Sequence, residues 1–162
     1  MNNMRDAFNK AGLNLTKQKG GSQKPPASPQ AAGKMISLPQ DYTAKAEQVI
    51  TSLQKTMGKD YKNFTTSKIR NILAMVNEIY NDIQSEAGET LSSKIQNQIQ
   101  YMKVRLVYEC GREPNVIKPF VIKAELLEII EWIKDSRTNF INFARYMEAL
   151  VAYHRFYGGR DQ

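Results

Sequence analysis

One cysteine, one histidine and one tryptophan stand in 162 residues, and that scarcity excludes several chemistries at once. A single cysteine rules out an intramolecular disulfide framework and any multi-cysteine zinc site. A single histidine leaves no spaced Cys and His pairs and no HExxH helix, and no glycine-rich turn follows a strand pattern to cradle a phosphate. No run approaches the roughly 18 uninterrupted apolar residues of a membrane span. The opening MNNMRDAFNKAGLNL also lacks the continuous apolar stretch of a signal peptide. The cytoplasm is the expected location, with no membrane partner and no cofactor or metal expected. Alternating β-branched runs, the mark of half-buried strands, are missing as well.

What the sequence has in surplus is positive charge. Lys and Arg number 23 against 16 Asp and Glu, a net +7 that points to polyanions as partners. The surplus is uneven. Residues 1–40 hold six cations (Arg5, Lys10, Lys17, Lys19, Lys24, Lys34) and one anion, Asp6, for a net +5. Residues 41–162 hold 17 cations and 15 anions, a net of only +2. Residues 16–36, TKQKGGSQKPPASPQAAGKMI, have too little to bury to offset their ordering entropy. Residues 1–36 are therefore expected to be a flexible basic tail, with a marginal short helix over 4–15 as the alternative. Residues 37–162 are expected to be the folded domain.

From residue 37 the apolar spacing is helical, which makes the fold class all-α: a compact bundle of about five helices. Ser37-Leu-Pro-Gln40 has capping-box spacing and opens a helix ending near Gly58. Thr65 or Thr66 caps a second, with Ile69, Ile72, Leu73, Val76, Ile79 and Ile83 as its stripe and Gly88 as its C′ residue. A third covers residues 90–110, with Gly111 as a left-handed cap and Pro114 blocking continuation. Pro119 opens a fourth that is broadly apolar through Ile133. The fifth runs from about 137 to Tyr157.

Cys110 ends the inward stripe Ile95, Ile99, Met102, Leu106, so its thiol is expected to act as a small hydrophobe with a raised pKa. His154 lies on the apolar stripe of the last helix and is expected to be a hydrogen-bonded core or interface residue, with a phosphate or base contact as the alternative. Glu125, Glu128, Glu131 and Asp135 share one face, which without a histidine or a second carboxylate cluster is expected to be solvated or to meet a basic neighbour. Lys94, Gln98, Tyr101, Arg105, Tyr108 and Arg112 fall within about 40° of one line on the flank of the third helix. Cations interleaved with tyrosines suit a nucleic-acid strand, the cations on phosphates and the rings against bases. The alternative is a polar flank whose tyrosines pack at the bundle edge. Lys68 and Lys118 begin helices, where the macrodipole disfavours a cation unless an anion is bound.

Three stretches, TTSKIRNIL (65–73), VRLVYECGREPNVIKPF (104–120) and FARYMEALVAYHRFYGG (143–159), together resemble the small subunit of type III-A CRISPR effector complexes, the Csm small-subunit family. The likeness rests on Ser67-Lys68-Ile69-Arg70, on Tyr108-Glu109-Cys110-Gly111-Arg112 and on Glu148 through Gly159, in order, within residues 41–160. It implies a non-catalytic helical subunit that contacts the phosphate backbone of guide RNA and target RNA and packs against copies of itself and the backbone subunits. The residues expected to hold RNA are Lys68, Arg70, Arg105, Arg112, Lys118 and Arg155, with Tyr101 and Tyr108 secondary. The rival reading is a helical structural adaptor that oligomerises without touching nucleic acid. A helix-turn-helix DNA reader ranks lower and a hydrolase last.

Overall fold

The computed structural model describes residues 36–161, so the expected tail and the short helix over 4–15 lie outside the described residues. Among the described residues there are six α-helices and no strand. They are α1 (Tyr42–Met57), α2 (Thr66–Gln84), α3 (Ser93–Arg112), α4 (Ile117–Lys123), α5 (Leu126–Ile133) and α6 (Arg137–Phe156). A 3-10 turn, Gly58–Asn63, links α1 to α2, and one isolated bridge pairs Thr90 with Ser136. The expected all-α class holds.

Helix α6 is the spine, packing against α1, α2 and α5, while α3 lies on α2 and α4 bridges α1 and α3. Its buried face (Phe140, Phe143, Ala144, Tyr146, Met147, Leu150, His154) meets Ile69, Val76 and Ile83 of α2 and Ala46, Ile50 and Leu53 of α1 in one core. Phe64 wedges between Phe120 and His154, with ring centroids 4.9 Å from each. Each fully buried Ile, Leu or Phe contributes about 1.5–3 kcal/mol, so this interior outweighs any surface ion pair described below.

Local chemistry moves several expected boundaries. Asp41, rather than Ser37, caps α1, its Oδ1 accepting from the Ala44 N–H at 3.0 Å. Residues 37–40 instead approach the helix as irregular chain, with Leu38 buried. Helix α2 stops at Gln84, so Gly88 (φ 100°) serves a turn in the connection and not the C′ position. Helix α3 starts later and runs further than expected, from the Ser92 cap through Gly111 to Arg112, and Glu113 ends it at φ −125°. Gly111 adopts no left-handed conformation.

The expected fourth helix is two helices. On one straight helix, Ile117, Phe120, Val121 and Ala124 would centre roughly 180° from Leu126, Ile129, Ile130 and Ile133. All eight are buried, which a straight helix against one core cannot arrange. The chain breaks at Glu125, in the left-handed region at φ 54°. The buried Tyr146 hydroxyl donates to the Ala124 carbonyl beside the break at 3.1 Å.

Candidate nucleic-acid-binding surface

The eight candidate residues separate into groups. Lys68, Arg105 and Arg112 line one groove of 360 Å³ between α2 and α3, together with Met75, Glu78 and Glu113. Arg105, Met75 and Glu78 also line the adjoining groove of 450 Å³, which adds Lys94, Gln98 and Tyr101. The α2–α3 packing thus makes Lys94, Gln98, Tyr101, Arg105 and Arg112 of the α3 stripe the wall of a furrow made of two adjoining grooves that share Arg105, Met75 and Glu78, while Tyr108 lines neither. Tyr101 and Tyr108 are 65% and 66% exposed, which rules out rings packed into the bundle edge. Val104 and Val107 are exposed on the same helix.

Carboxylates temper the furrow's charge. Lys68 is paired with Glu113, and Arg112 Nη2 lies 2.6 Å from Glu109 Oε2 and 3.5 Å from Glu113 Oε1. Lys94 is 3.3 Å from Asp82, whose carboxyl is held below its ordinary value mainly by a hydrogen bond from Gln98, with Lys94 assisting. Arg105 has no ion pair among the described residues, and neither does the exposed Lys118 near Cys110. The partners Glu109 and Glu113 are part-buried, so Lys68 and Arg112 must release a carboxylate to meet a phosphate, whereas Arg105 need not.

Arg70 and Arg155 lie elsewhere, at the start of α2 and the end of α6, where both reach Asp161. Beside them a small cavity of 280 Å³ is lined by Lys59, Lys62 and Arg160 from the 3-10 turn and the Gly158–Asp161 segment. The α-helical period does not single out this lysine pair; Lys59 and Lys62 stand at i and i+3, the spacing that shares a side in a 3-10 turn, and their sequence signal is the cation density of GKDYKN.

The chemical candidates resolve as packing. His154 is fully buried, with Nε2 2.8 Å from the Phe64 carbonyl and Nδ1 3.1 Å from the Thr66 hydroxyl, so it is a core residue and touches no surface strand. Cys110 is half-buried against the core, and burial pushes its thiol pKa up. The carboxylate face of the expected fourth helix is split by the break. Glu125 pairs with Lys45 and Glu131 with Lys103, and no group of three His, Cys, Asp or Glu able to hold a metal occurs among the described residues. No described helix is long and apolar enough to cross a membrane.

Fold and surface together define a small all-α domain with a cation- and tyrosine-lined furrow. The family described as Csm2 Type III-A matches residues 42–160. A Mycobacterium tuberculosis protein named "CRISPR system Cms protein Csm2" is 38% identical over 127 residues, covering 78% of this chain and 100% of the relative. Proteins of the same name from Streptococcus thermophilus (39% over 126 residues; 78% and 98% covered) and Enterococcus italicus (31% over 131 residues; 77% and 91% covered) are similar as well. The chain belongs to the Csm2 Type III-A family, the small-subunit family its three sequence stretches resemble.

Proposed function

We propose that the chain is a non-catalytic, cytoplasmic RNA-binding small subunit of a type III-A CRISPR effector complex. The carrying observation is that Lys68, Arg105, Arg112 and Tyr101, from two helices, line one furrow. Guide and target RNA are the ligands, held by their phosphates and not by base edges: the cations sit on rigid helices, and near the α3 start the amides of Gln96 and Gln98 already donate to the Leu91 carbonyl and the Asp82 carboxylate. Arg70, Arg155 and Lys118 add contacts outside the furrow, and Tyr101 and Tyr108 offer faces for stacking. The exposed Val104 and Val107 supply apolar contact to copies of the chain or to other subunits of the complex. Residues 37–162 form the binding domain, and residues 1–36 are an accessory basic tail.

Charge reversal tests the phosphate mechanism. Arg105→Glu and Arg112→Glu are expected to weaken binding to oligouridylate, oligoadenylate and a mixed-sequence RNA by the same factor, roughly tenfold each at low salt. Fluorescence anisotropy measures it. A loss confined to one sequence contradicts backbone contact, and no loss with any of them leaves the adaptor reading.

A further inference from the structure

Arg70 on α2 and Arg155 on α6 converge on a single carboxylate. Arg70 Nη1 lies 3.5 Å from Asp161 Oδ1, and Arg155 Nη1 lies 3.1 Å from Asp161 Oδ2. The segment bearing that carboxylate is fastened along its length. The Gly159 N–H donates to the His154 carbonyl at 2.8 Å, and the Thr66 N–H donates to the Arg160 carbonyl at 2.7 Å. Arg155 Nη1 also donates to the Gly159 carbonyl at 3.0 Å, and the Ser67 hydroxyl donates to the Asp161 carbonyl. Gly159 is buried so tightly on the His154 ring that a Cβ there would come within 2.2 Å of it. The core therefore dictates where the chain passes, and the chain delivers the Asp161 carboxylate to the two guanidinium groups.

Two guanidinium groups converging on one oxyanion form the arrangement that also receives a phosphate. All three side chains are more than half exposed, so their ion pairs are screened and weak. The fastening, by contrast, uses backbone atoms at residues 159–161 and does not need the carboxylate. The Asp161 side chain can swing into water while the segment stays in place. We propose that Asp161 is a built-in counter-anion that covers an Arg70–Arg155 phosphate site and gives way when an RNA phosphate arrives. This rests on the RNA-binding reading above and adds a regulation to it: the chain's own carboxylate covers the two guanidinium groups until an RNA phosphate replaces it.

The test is the full-length chain titrated with a labelled oligouridylate at low salt. Asp161→Asn is expected to tighten binding about two- to fivefold, the scale of one exposed ion pair, and to steepen the salt dependence. Adding Arg70→Ala to Asp161→Asn is expected to cancel the gain. Glu128→Gln on α5, the same charge change at an exposed position with no ion pair among the described residues, is expected to give a smaller gain. Unchanged or weaker binding by Asp161→Asn, or an equal gain from Glu128→Gln, overturns the inference and leaves the RNA-binding surface standing. Absence of binding by the unaltered chain overturns that surface, and the inference with it.

Discussion

The imidazole of His154 joins the Phe64 carbonyl at Nε2 to the Thr66 hydroxyl at Nδ1, and a carbonyl only accepts. Nε2 therefore carries the proton and donates to Phe64, while Nδ1 accepts from Thr66. Burial lowers the pKa of this ring below its ordinary 6.5; the hydrogen bond to Phe64 opposes the shift and the nearby Arg155 adds to it. A group whose folded pKa is depressed contributes stability in full above its unfolded value, and loses it as pH falls through the folded value. Urea midpoints are thus expected to hold steady above pH 6.5 and to decline below it. In His154→Gln, which can keep both hydrogen bonds without titrating, the decline is expected to disappear; the same decline in both chains contradicts the assignment. Asp41 and Asp82, whose folded values lie below 3.8, act only in stronger acid. Tyr146 offers a second check at this scale. Removing its buried hydroxyl with Tyr146→Phe leaves the Ala124 carbonyl without that donor and is expected to cost about 1–2 kcal/mol in urea unfolding.

At the scale of elements, the α4–α5 break sets the shape of the domain and stores strain at both ends of α5. Glu125 before it (φ 54°, ψ 37°) is in the left-handed helical region, and Lys134 after it (φ 50°, ψ −120°) takes another positive-φ conformation; glycine adopts both more easily. Glu125 is tied to Lys45, but Lys134 is exposed with no ion pair among the described residues. Lys134→Gly is expected to raise stability by about 1 kcal/mol, seen as a higher urea midpoint at unchanged m. A fall would mean that the strain is compensated locally. The break was legible in part: the apolar positions from Ile117 to Ile133 span far more than one helical face, which a single surface helix does not do. Its location was not legible, because the left-handed turn falls on a glutamate and carries no Gly or Pro. Helix α1 shows the same limit. Ser37 and Asp41 both offer capping chemistry; the structure uses Asp41, with Leu38 buried on the irregular chain ahead of it, and that burial leaves no local signal. Periodicity placed α2, α3 and α6 because each has one apolar face against one neighbourhood of the core.

For the molecule as a whole, the spacing on α3 set Tyr101, Arg105, Tyr108 and Arg112 on one flank and left open whether the rings pack at the bundle edge; the structure exposes all four. It carried no information about what the cations meet. Lys68 finds Glu113 45 residues away, and Arg70 finds Asp161 through the closing segment; such partners depend on tertiary packing and leave no local signal. The result is a domain with a net +2 in which several cations, Lys68 and Arg112 among them, are paired to carboxylates, while residues 1–40 carry a net +5. Whether RNA affinity belongs to the furrow or to the N-terminal charges is therefore the central question. The most direct measurement is RNA binding against salt concentration for the full chain, for residues 37–162 alone, and for both carrying Arg105→Glu. The expected result is that residues 37–162 still bind, more weakly, and that Arg105→Glu flattens the log–log slope by about 0.7 in either background. Binding that vanishes with residues 1–36 and ignores Arg105→Glu would contradict the account.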